Sequence, residues 1–346
     1  MPLPLAALLP EELVTEFHLD SSFRGIQLFK WIQTGCDDFS SMTNLPIRLR
    51  TLLEGTGTLL SSCIAGRQES DDGSVKYRIR LRDRHLLEAV LLRDRSGRKT
   101  VCLSTQVGCA MGCLFCRTGC MGLIRNLEAF EIVEEFLILQ QEWGKISNIV
   151  FMGMGEPLLN LAHLRKTIAV LTHSQGIGLN LRRITVSTCG IVPGILSLAE
   201  KGPYIRLAFS LITAVTEVRS RLMPAARGNS LKDVKAALVR YQNVTGKRVT
   251  LEVVLMGGIN TSRQHAEALI RFIPPLRVNV NLIPWNPSEG LPFRLPSREE
   301  INTYKNELEI HRIPVTQRYR RGRGVDAACG QLFVLQDGPN SPHTRR

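Results

Sequence analysis

The sequence lacks any uncharged apolar run approaching the length of a bilayer span, which argues against a membrane-embedded chain. It lacks a repeat of fixed period, so a solenoid or propeller is not expected. Met1 to Pro10 is apolar but has neither the basic start nor the small-residue cleavage site of a secretory signal, and a cytoplasmic location is the expectation. Acidic residues are in short supply: 31 Asp and Glu against 44 Lys and Arg leave a net charge of +13. The excess is mostly arginine, with clusters at Arg182-Arg183 and Arg318 to Arg323. Arginine's planar fork donates in pairs to phosphate, so a polyanion such as RNA fits, although an inert basic surface fits the charge equally well.

An even count of cysteines is also missing. Nine cannot all pair within the chain, and in a cytosolic setting clustered cysteines point to metal or redox chemistry. Five of the nine fall between Cys102 and Cys120, which marks that stretch as the place for chemistry. The chain's 346 residues suffice for one large domain and a small appendage.

The first part reads as helical. Phe23, Ile26, Phe29 and Trp31-Ile32 recur at helical spacing, as do Ile47, Leu49, Leu52 and Leu53, with Gly55 as the expected stop. Thr43 to Pro46 reads as the connection between helices. Asp71-Asp72-Gly73 suggests a turn between short strands, with Lys76 to Leu81 alternating and Leu86 to Leu92 more continuously apolar. The expected division is a helical domain over 1–65, a short β linker over 66–98, a core over 99–335 and a polar tail over 336–346.

Within the core, β-rich runs at Val101–Thr105, Asn148–Met152, Ile184–Ser187, Ile205–Leu211, Val249–Met256 and Val278–Ile283 alternate with helical patterns such as Leu127–Trp143, Leu231–Tyr241 and Ser262–Phe272. Ser297 to Glu300 has the form of a capping box. Six βα units predict an α/β fold with a parallel sheet, and an open sheet and a barrel share this rhythm.

Cys109-Ala-Met-Gly-Cys113-Leu-Phe-Cys116 directly follows the first of these strands, where loops of parallel α/β folds build active sites. Three thiolates can hold three irons of a [4Fe–4S] cluster and leave the fourth iron open, with Gly108 and Gly112 supplying tight turns. A zinc site with Cys120 as fourth ligand, in a non-catalytic RNA-binding module, is the alternative from another class.

The Cys-x3-Cys-x2-Cys spacing, with Phe115 before the last cysteine, resembles the radical S-adenosylmethionine (SAM) signature. Cys102 to Cys109, Phe151 to Pro157, Val186 to Thr188, Asn281 to Pro287 and Asp326 to Leu332 further resemble the RlmN/Cfr family of RNA adenine methyltransferases. Phe23-Arg24 to Trp31 and Asp37 to Phe39 are similar to that family's accessory domain. The resemblance implies a partial (β/α)6 radical SAM barrel with a small N-terminal helical domain. It implies a [4Fe–4S] cluster on Cys109, Cys113 and Cys116, and SAM held by Gly155, Glu156, Ser187, Ser210, Leu211 and Asn286. Read from the residues, the Glu156 carboxylate and nearby amides suit a ligand's ammonium group.

The same resemblance implies a route through two outlying thiols. Cys329 takes a methyl group as S-methylcysteine; Cys102 removes the ring proton and forms a transient disulfide with Cys329. Arg318, Arg320, Arg321 and Arg323, with Gly322 and Gly324 between them, are expected to lower the Cys329 pKa. Glu88 aligns with a proton acceptor. The implied partners are ribosomal RNA, transfer RNA, an electron donor such as flavodoxin and a thiol reductant, acting on a monomer away from membranes. The implied product is adenine methylated at C2. Thr118-Gly119 and Gly122-Leu123 lean instead toward the C8-methylating branch, while Met154 to Leu159 leans toward C2. Where the family has Ser-Leu-His, this chain has Ser210-Leu211-Ile212.

Overall fold

The computed structural model describes residues 2–94, 96–318 and 328–334. The expected polar tail over 336–346, and Arg320, Arg321, Gly322, Arg323 and Gly324, therefore lie outside the described residues.

In chain order the elements begin with β1 (Leu3–Pro4), α1 (Pro10–Glu16), α2 (Ser22–Gln33), α3 (Ile47–Thr56) and β2 (Gly57–Thr58). Then come β3 (Cys63–Glu69), β4 (Val75–Arg80), β5 (Leu86–Arg93), β6 (Lys99–Cys102), β7 (Gln106–Gly108), α4 (Arg117–Cys120) and β8 (Leu123–Asn126). The rest of the chain alternates: α5 (Ala129–Trp143), β9 (Asn148–Phe151), α6 (Leu161–Thr172), β10 (Ile184–Thr188), α7 (Val192–Lys201) and β11 (Arg206–Ser210). It continues with α8 (Thr216–Leu222), α9 (Leu231–Thr245), β12 (Val249–Leu255), α10 (Arg263–Phe272), β13 (Val278–Pro284), α11 (Arg298–Ile310) and β14 (Val315–Gln317).

A ten-stranded sheet runs β14-β13-β12-β11-β10-β9-β6-β5-β4-β3. From β6 through β9 to β14 every neighbour is parallel, so all these strands end on one side. The six expected strands form the barrel unit, and β14 adds a seventh that its three-residue length hid from the sequence pattern. β3, β4 and β5 extend the same sheet in antiparallel fashion. β5 lies between β4 and β6 and is buried on both faces, which explains its continuous apolar run. β4 buries Val75, Tyr77 and Ile79 in alternation.

The helical N-terminus is tied to this core by α5. Buried Glu134 accepts from the Ser61 and Ser62 amides at 2.9 Å each, and buried Glu135 accepts from the Ser104 amide at 2.9 Å. Gly55 does not stop α3, as the sequence suggested. The helix runs on to Thr56 and ends where Gly57 turns extended to pair with β1. A Cβ at Gly57 would lie 2.9 Å from the Leu5 side chain, so that close approach needs glycine. The expected capping box opens α11, with Ser297 accepting from the Glu300 amide at 3.1 Å and Glu300 accepting from the Ser297 amide at 2.7 Å. No helix among the described residues is long and apolar enough to cross a membrane.

Candidate active site

The cysteine loop follows β6 and β7 and lies between the paired strands β7 and β8. Gly108 sits at φ +77°, and a Cβ there would meet the Gly122 carbonyl oxygen at 2.0 Å. Only glycine lets that pairing close, and the Cys109 amide then donates to the same carbonyl at 2.8 Å. The Leu114 amide donates to Leu222 at 3.0 Å, the Trp285 indole donates to the Phe115 carbonyl at 3.0 Å, and the Thr118 hydroxyl donates to the Leu332 carbonyl at 2.6 Å. The loop is thus clamped by α8, by the end of β13 and by the C-terminal segment.

Cys109, Cys113 and Cys116 all face a cleft at the strand ends whose empty space, counted out to its mouth, is about 1070 Å³. Burial pushes the Cys109 and Cys116 thiols up to about 12, and neighbouring cysteines add to the rise. Such thiols ionise when a metal cation is there to compensate them. Cys120, exposed at the end of α4, is not among the lining residues.

After β9, Gly155 adopts φ +100°, and a Cβ there would stand 2.6 Å from that of Gln106. Glu156 lines the cleft, and backbone amides orient its carboxylate. One oxygen accepts from the Leu158 amide at 3.1 Å and the other from the Cys189 amide at 2.7 Å. Burial nevertheless raises its pKa above the ordinary carboxylate range. Ser187 and Ser210, at the ends of β10 and β11, share a hydroxyl–hydroxyl hydrogen bond of 3.1 Å on the cleft wall. Leu211 is fully buried and absent from the lining, so the cleft meets its neighbours instead. One of these is Ile212, at φ +65°, a conformation that strains a β-branched residue by roughly 1–3 kcal/mol. It is held there by Glu252, whose carbonyl accepts from the Ile212 amide at 3.1 Å, and by Asn260, whose side chain donates to the Ile212 carbonyl at 3.0 Å.

Cys329 opens onto the same cleft, and Asn286 donates from its side-chain amide to the Cys329 carbonyl at 3.0 Å. Cys102, at the end of β6, does not line the cleft. Burial and the neighbouring charge of Cys329 push its thiol up to about 12. Of the four arginines expected to lower the Cys329 pKa, only Arg318 lies within the described residues. It pulls both thiols down, but burial outweighs it, and Cys329 stands above its ordinary value. All nine cysteines are free thiols.

Glu88 is buried on β5, outside the cleft lining. Its carboxylate pairs with Lys76 at 3.2 Å and accepts from the Phe333 amide at 2.9 Å, tying the C-terminal segment to the sheet.

Three lining or adjoining groups went unnoticed in the sequence. Buried Glu252 on β12 accepts from Asn281 and Arg318, each at 3.1 Å, through one oxygen, while its other oxygen is buried without a partner. Cys189 lines the cleft, and its thiol is held well above its ordinary pKa by hydrogen bonding with Cys113 and by burial. Buried Arg219 on α8 donates to the Ser210 carbonyl at 2.8 Å and the Cys189 carbonyl at 2.7 Å. Burial lowers its pKa to about 10. A lone glutamate in Leu251-Glu252-Val253, or one arginine on an amphipathic helix, carries no pattern to mark it.

Comparison with known proteins now bears on this geometry. The radical SAM superfamily model matches residues 103–273, and the model for the ribosomal RNA large subunit methyltransferase N-terminal domain matches residues 14–58. A probable dual-specificity RNA methyltransferase RlmN from Treponema pallidum (strain Nichols) is 47% identical over 95% of this chain and 96% of its own length. The chain belongs to the RlmN family of radical SAM methyltransferases. The dual-specificity RNA methyltransferase RlmN of Lawsonia intracellularis is 41% identical, covering 93% of each chain. A crystal structure of a radical SAM methyltransferase from Sphaerobacter thermophilus superposes with a TM-score of 0.91 at 40% identity, covering 96% of this chain and 99% of that one. The partial barrel and the helical N-terminal region are therefore family features, and the protein is an enzyme.

Proposed function

We propose that this enzyme methylates adenine C2 in 23S ribosomal RNA, with transfer RNA as a second substrate, through a methylated Cys329. The observation that carries this reading is that Cys329 opens onto the same cleft as Cys109, Cys113 and Cys116. Those three thiols suit a [4Fe–4S] cluster, since three ligands leave one iron for SAM. The buried Arg219 cation, within electrostatic reach of Cys113, offsets part of the negative charge such a group brings. When bound, the cluster supplies the electron that cleaves SAM reductively, giving a carbon radical strong enough to take hydrogen from a methyl thioether.

The chain's own groups do the rest. Gly155, Glu156, Ser187, Ser210 and Asn286 form the wall against which SAM is held, with Leu211 packing behind them. Cys329, as thiolate, displaces the methyl group: a sulfur–carbon bond forms as the sulfonium–methyl bond breaks. Its elevated pKa means that the proton must leave first, and Arg318 favours that loss. Once the methylene carbon is joined to the base and the addition radical has given up one electron, Cys102, as thiolate, accepts the ring proton and passes it on to solvent. Its thiolate then attacks the Cys329 sulfur as the sulfur–methylene bond breaks; the released carbon takes a proton to become the methyl group, leaving a disulfide that an external thiol reduces. An electron donor of the flavodoxin type completes the cycle.

Nucleoside analysis of RNA from cells with and without the gene tests the proposal. Loss of 2-methyladenosine on deletion is expected. A C8-methylated adenosine in its place reassigns the enzyme to the other branch, and no change in any methyladenosine refutes the reading.

A further inference from the structure

The six adjacent parallel strands β9 to β14 are all entered from the end of the barrel opposite the cleft. Each entry carries at least one cation: Lys145 before β9, Arg182-Arg183 before β10 and Arg206 opening β11. The row continues with Lys247-Arg248 before β12, Arg277 before β13 and Arg312 shortly before β14. The entry segments 144–148, 173–183, 202–206, 246–248, 273–277 and 311–314 contain no Asp or Glu.

Topology places these charges side by side. Val249 is registered against Val278, so Arg248 and Arg277 occupy neighbouring positions one residue before the paired strands. Arg206 is itself registered against Thr185, two residues into the neighbouring strand's entry. With strands about 4.8 Å apart, the row extends over roughly 24 Å. Among the described residues none of these cations forms an ion pair. Their mutual repulsion is felt: burial first, then the charges of Arg182 and Arg206, lowers the Lys247 pKa.

The row runs on into a groove of about 1010 Å³ between α2 and the entries of β9 and β10. Lys30, Lys145 and Arg183 line it together with amide side chains of Gln141, Gln175 and Asn180, and no carboxylate lines it. Arg98 in the same lining is already paired with Asp94 at 2.7 Å.

Like charges gathered without acidic partners weaken the fold unless a polyanion spends time against them. A phosphate backbone is a row of single negative charges at comparable spacing, and amide donors beside the cations suit phosphate oxygens. We propose that this strand-entry rim binds the phosphate backbone of the RNA substrate, far from the reacting base. The inference rests on the reading of RNA as substrate. Seven-residue β12 alone spans about 23 Å at ~3.3 Å per residue, so an RNA touching both rim and cleft must pass around the side of the barrel. A large folded RNA can do so and a short stem-loop cannot. The rim thereby makes the enzyme prefer its target base within an extended RNA.

The test uses iron-loaded enzyme carrying Arg206→Ser, Arg248→Ser and Arg277→Ser together. Binding is measured across a salt series to a long 23S ribosomal RNA fragment and to a short stem-loop holding the target adenine. For the long RNA, the slope of log affinity against log salt is expected to become shallower by about 2.7, from ~0.9 for each lost phosphate contact. Stem-loop binding and methylation stay at wild-type level, and the corresponding Arg→Lys triple variant restores the long-RNA slope. If the serine triple variant fails to load iron, Arg277→Ser alone should lower the slope by about 0.9. A wild-type slope for long RNA in the serine variants overturns the proposal. So does unchanged RNA binding coupled to slower reduction by an acidic flavodoxin-type protein, which reassigns the rim to the electron donor. Failure of the unaltered enzyme to bind or methylate either RNA refutes the adenine-methylation reading instead.

Discussion

The Asn286 side-chain amide reaches across the cleft to donate to the Cys329 carbonyl at 3.0 Å, so the wall expected to meet SAM also grips the segment carrying the outlying thiol. Gln331 donates to the Pro287 carbonyl at 2.7 Å, and the Phe333 amide donates to Glu88 at 2.9 Å. Residues 328–334 are few, and Leu332 and Val334 among them are buried in the main core. Their position is set by that burial together with these polar ties, each worth about 1 kcal/mol net and more where the partner is left buried and unpaired.

Replacing Asn286 by alanine should therefore loosen the Cys329 segment without removing the cysteine loop. Amide hydrogen exchange over residues 328–334 is expected to rise about tenfold, the scale of one lost buried hydrogen bond. Iron content should stay unchanged, and the fraction of methylated Cys329 isolated from cells should fall. Unchanged exchange over that segment would show that Asn286 does not hold it.

The pH dependence of Cys329 reactivity follows from its neighbours. Burial raises its pKa, Arg318 lowers it and Glu252 raises it. The thiolate is thus a minor species at neutral pH, and alkylation by iodoacetamide should climb steadily as pH rises past the ordinary thiol range. At a fixed pH of about 8, Arg318→Leu removes the favourable cation and should slow alkylation roughly threefold to tenfold, while Glu252→Gln should accelerate it by a similar factor. The reverse order of the two variants would mean that Arg318 and Glu252 act on Cys329 through shape rather than charge.

Much of the scaffold was legible because its strands are buried between helices and must be apolar and β-rich. β9 begins at Asn148 and β12 at Val249, where the hydrophobic runs place them, and the cysteine spacing led to the cleft directly. What escaped was decided by contacts across distant parts of the chain. Glu252 is one carboxylate in an apolar strand until Asn281 and Arg318 meet it. The amide that orients the Glu156 carboxylate belongs to Cys189, 33 residues away, and no local pattern marks it. Gly55 misled as a helix stop because helix ends are set by the next pairing, here Gly57 with Leu3.

Removing one thiol from the cysteine loop tests the cluster assignment. Cys113→Ala leaves two loop cysteines and a second iron unsecured, so anaerobically purified protein should lose most of its iron and acid-labile sulfide. Formation of 5′-deoxyadenosine from SAM should disappear with them. Retained iron and normal 5′-deoxyadenosine formation in Cys113→Ala would overturn the cluster assignment.

The two outlying thiols give the sharpest test, because their roles differ although both stand above the ordinary thiol pKa. Cys329→Ala removes the methyl acceptor, so iron should be retained while RNA methylation vanishes. Cys102→Ala leaves the acceptor intact and the carbon–carbon bond to adenine can still form. No thiolate then remains to take the ring proton and attack the Cys329 sulfur. The variant should accumulate enzyme joined covalently to RNA through Cys329. Protein purified from cells, digested with nuclease and analysed by mass spectrometry, should carry a nucleotide on the Cys329 peptide. The partner position makes this outcome specific, since Cys102 feels the charge of Cys329 more than any other side chain's. An unmodified Cys329 peptide together with normal RNA methylation would remove both cysteines from the mechanism.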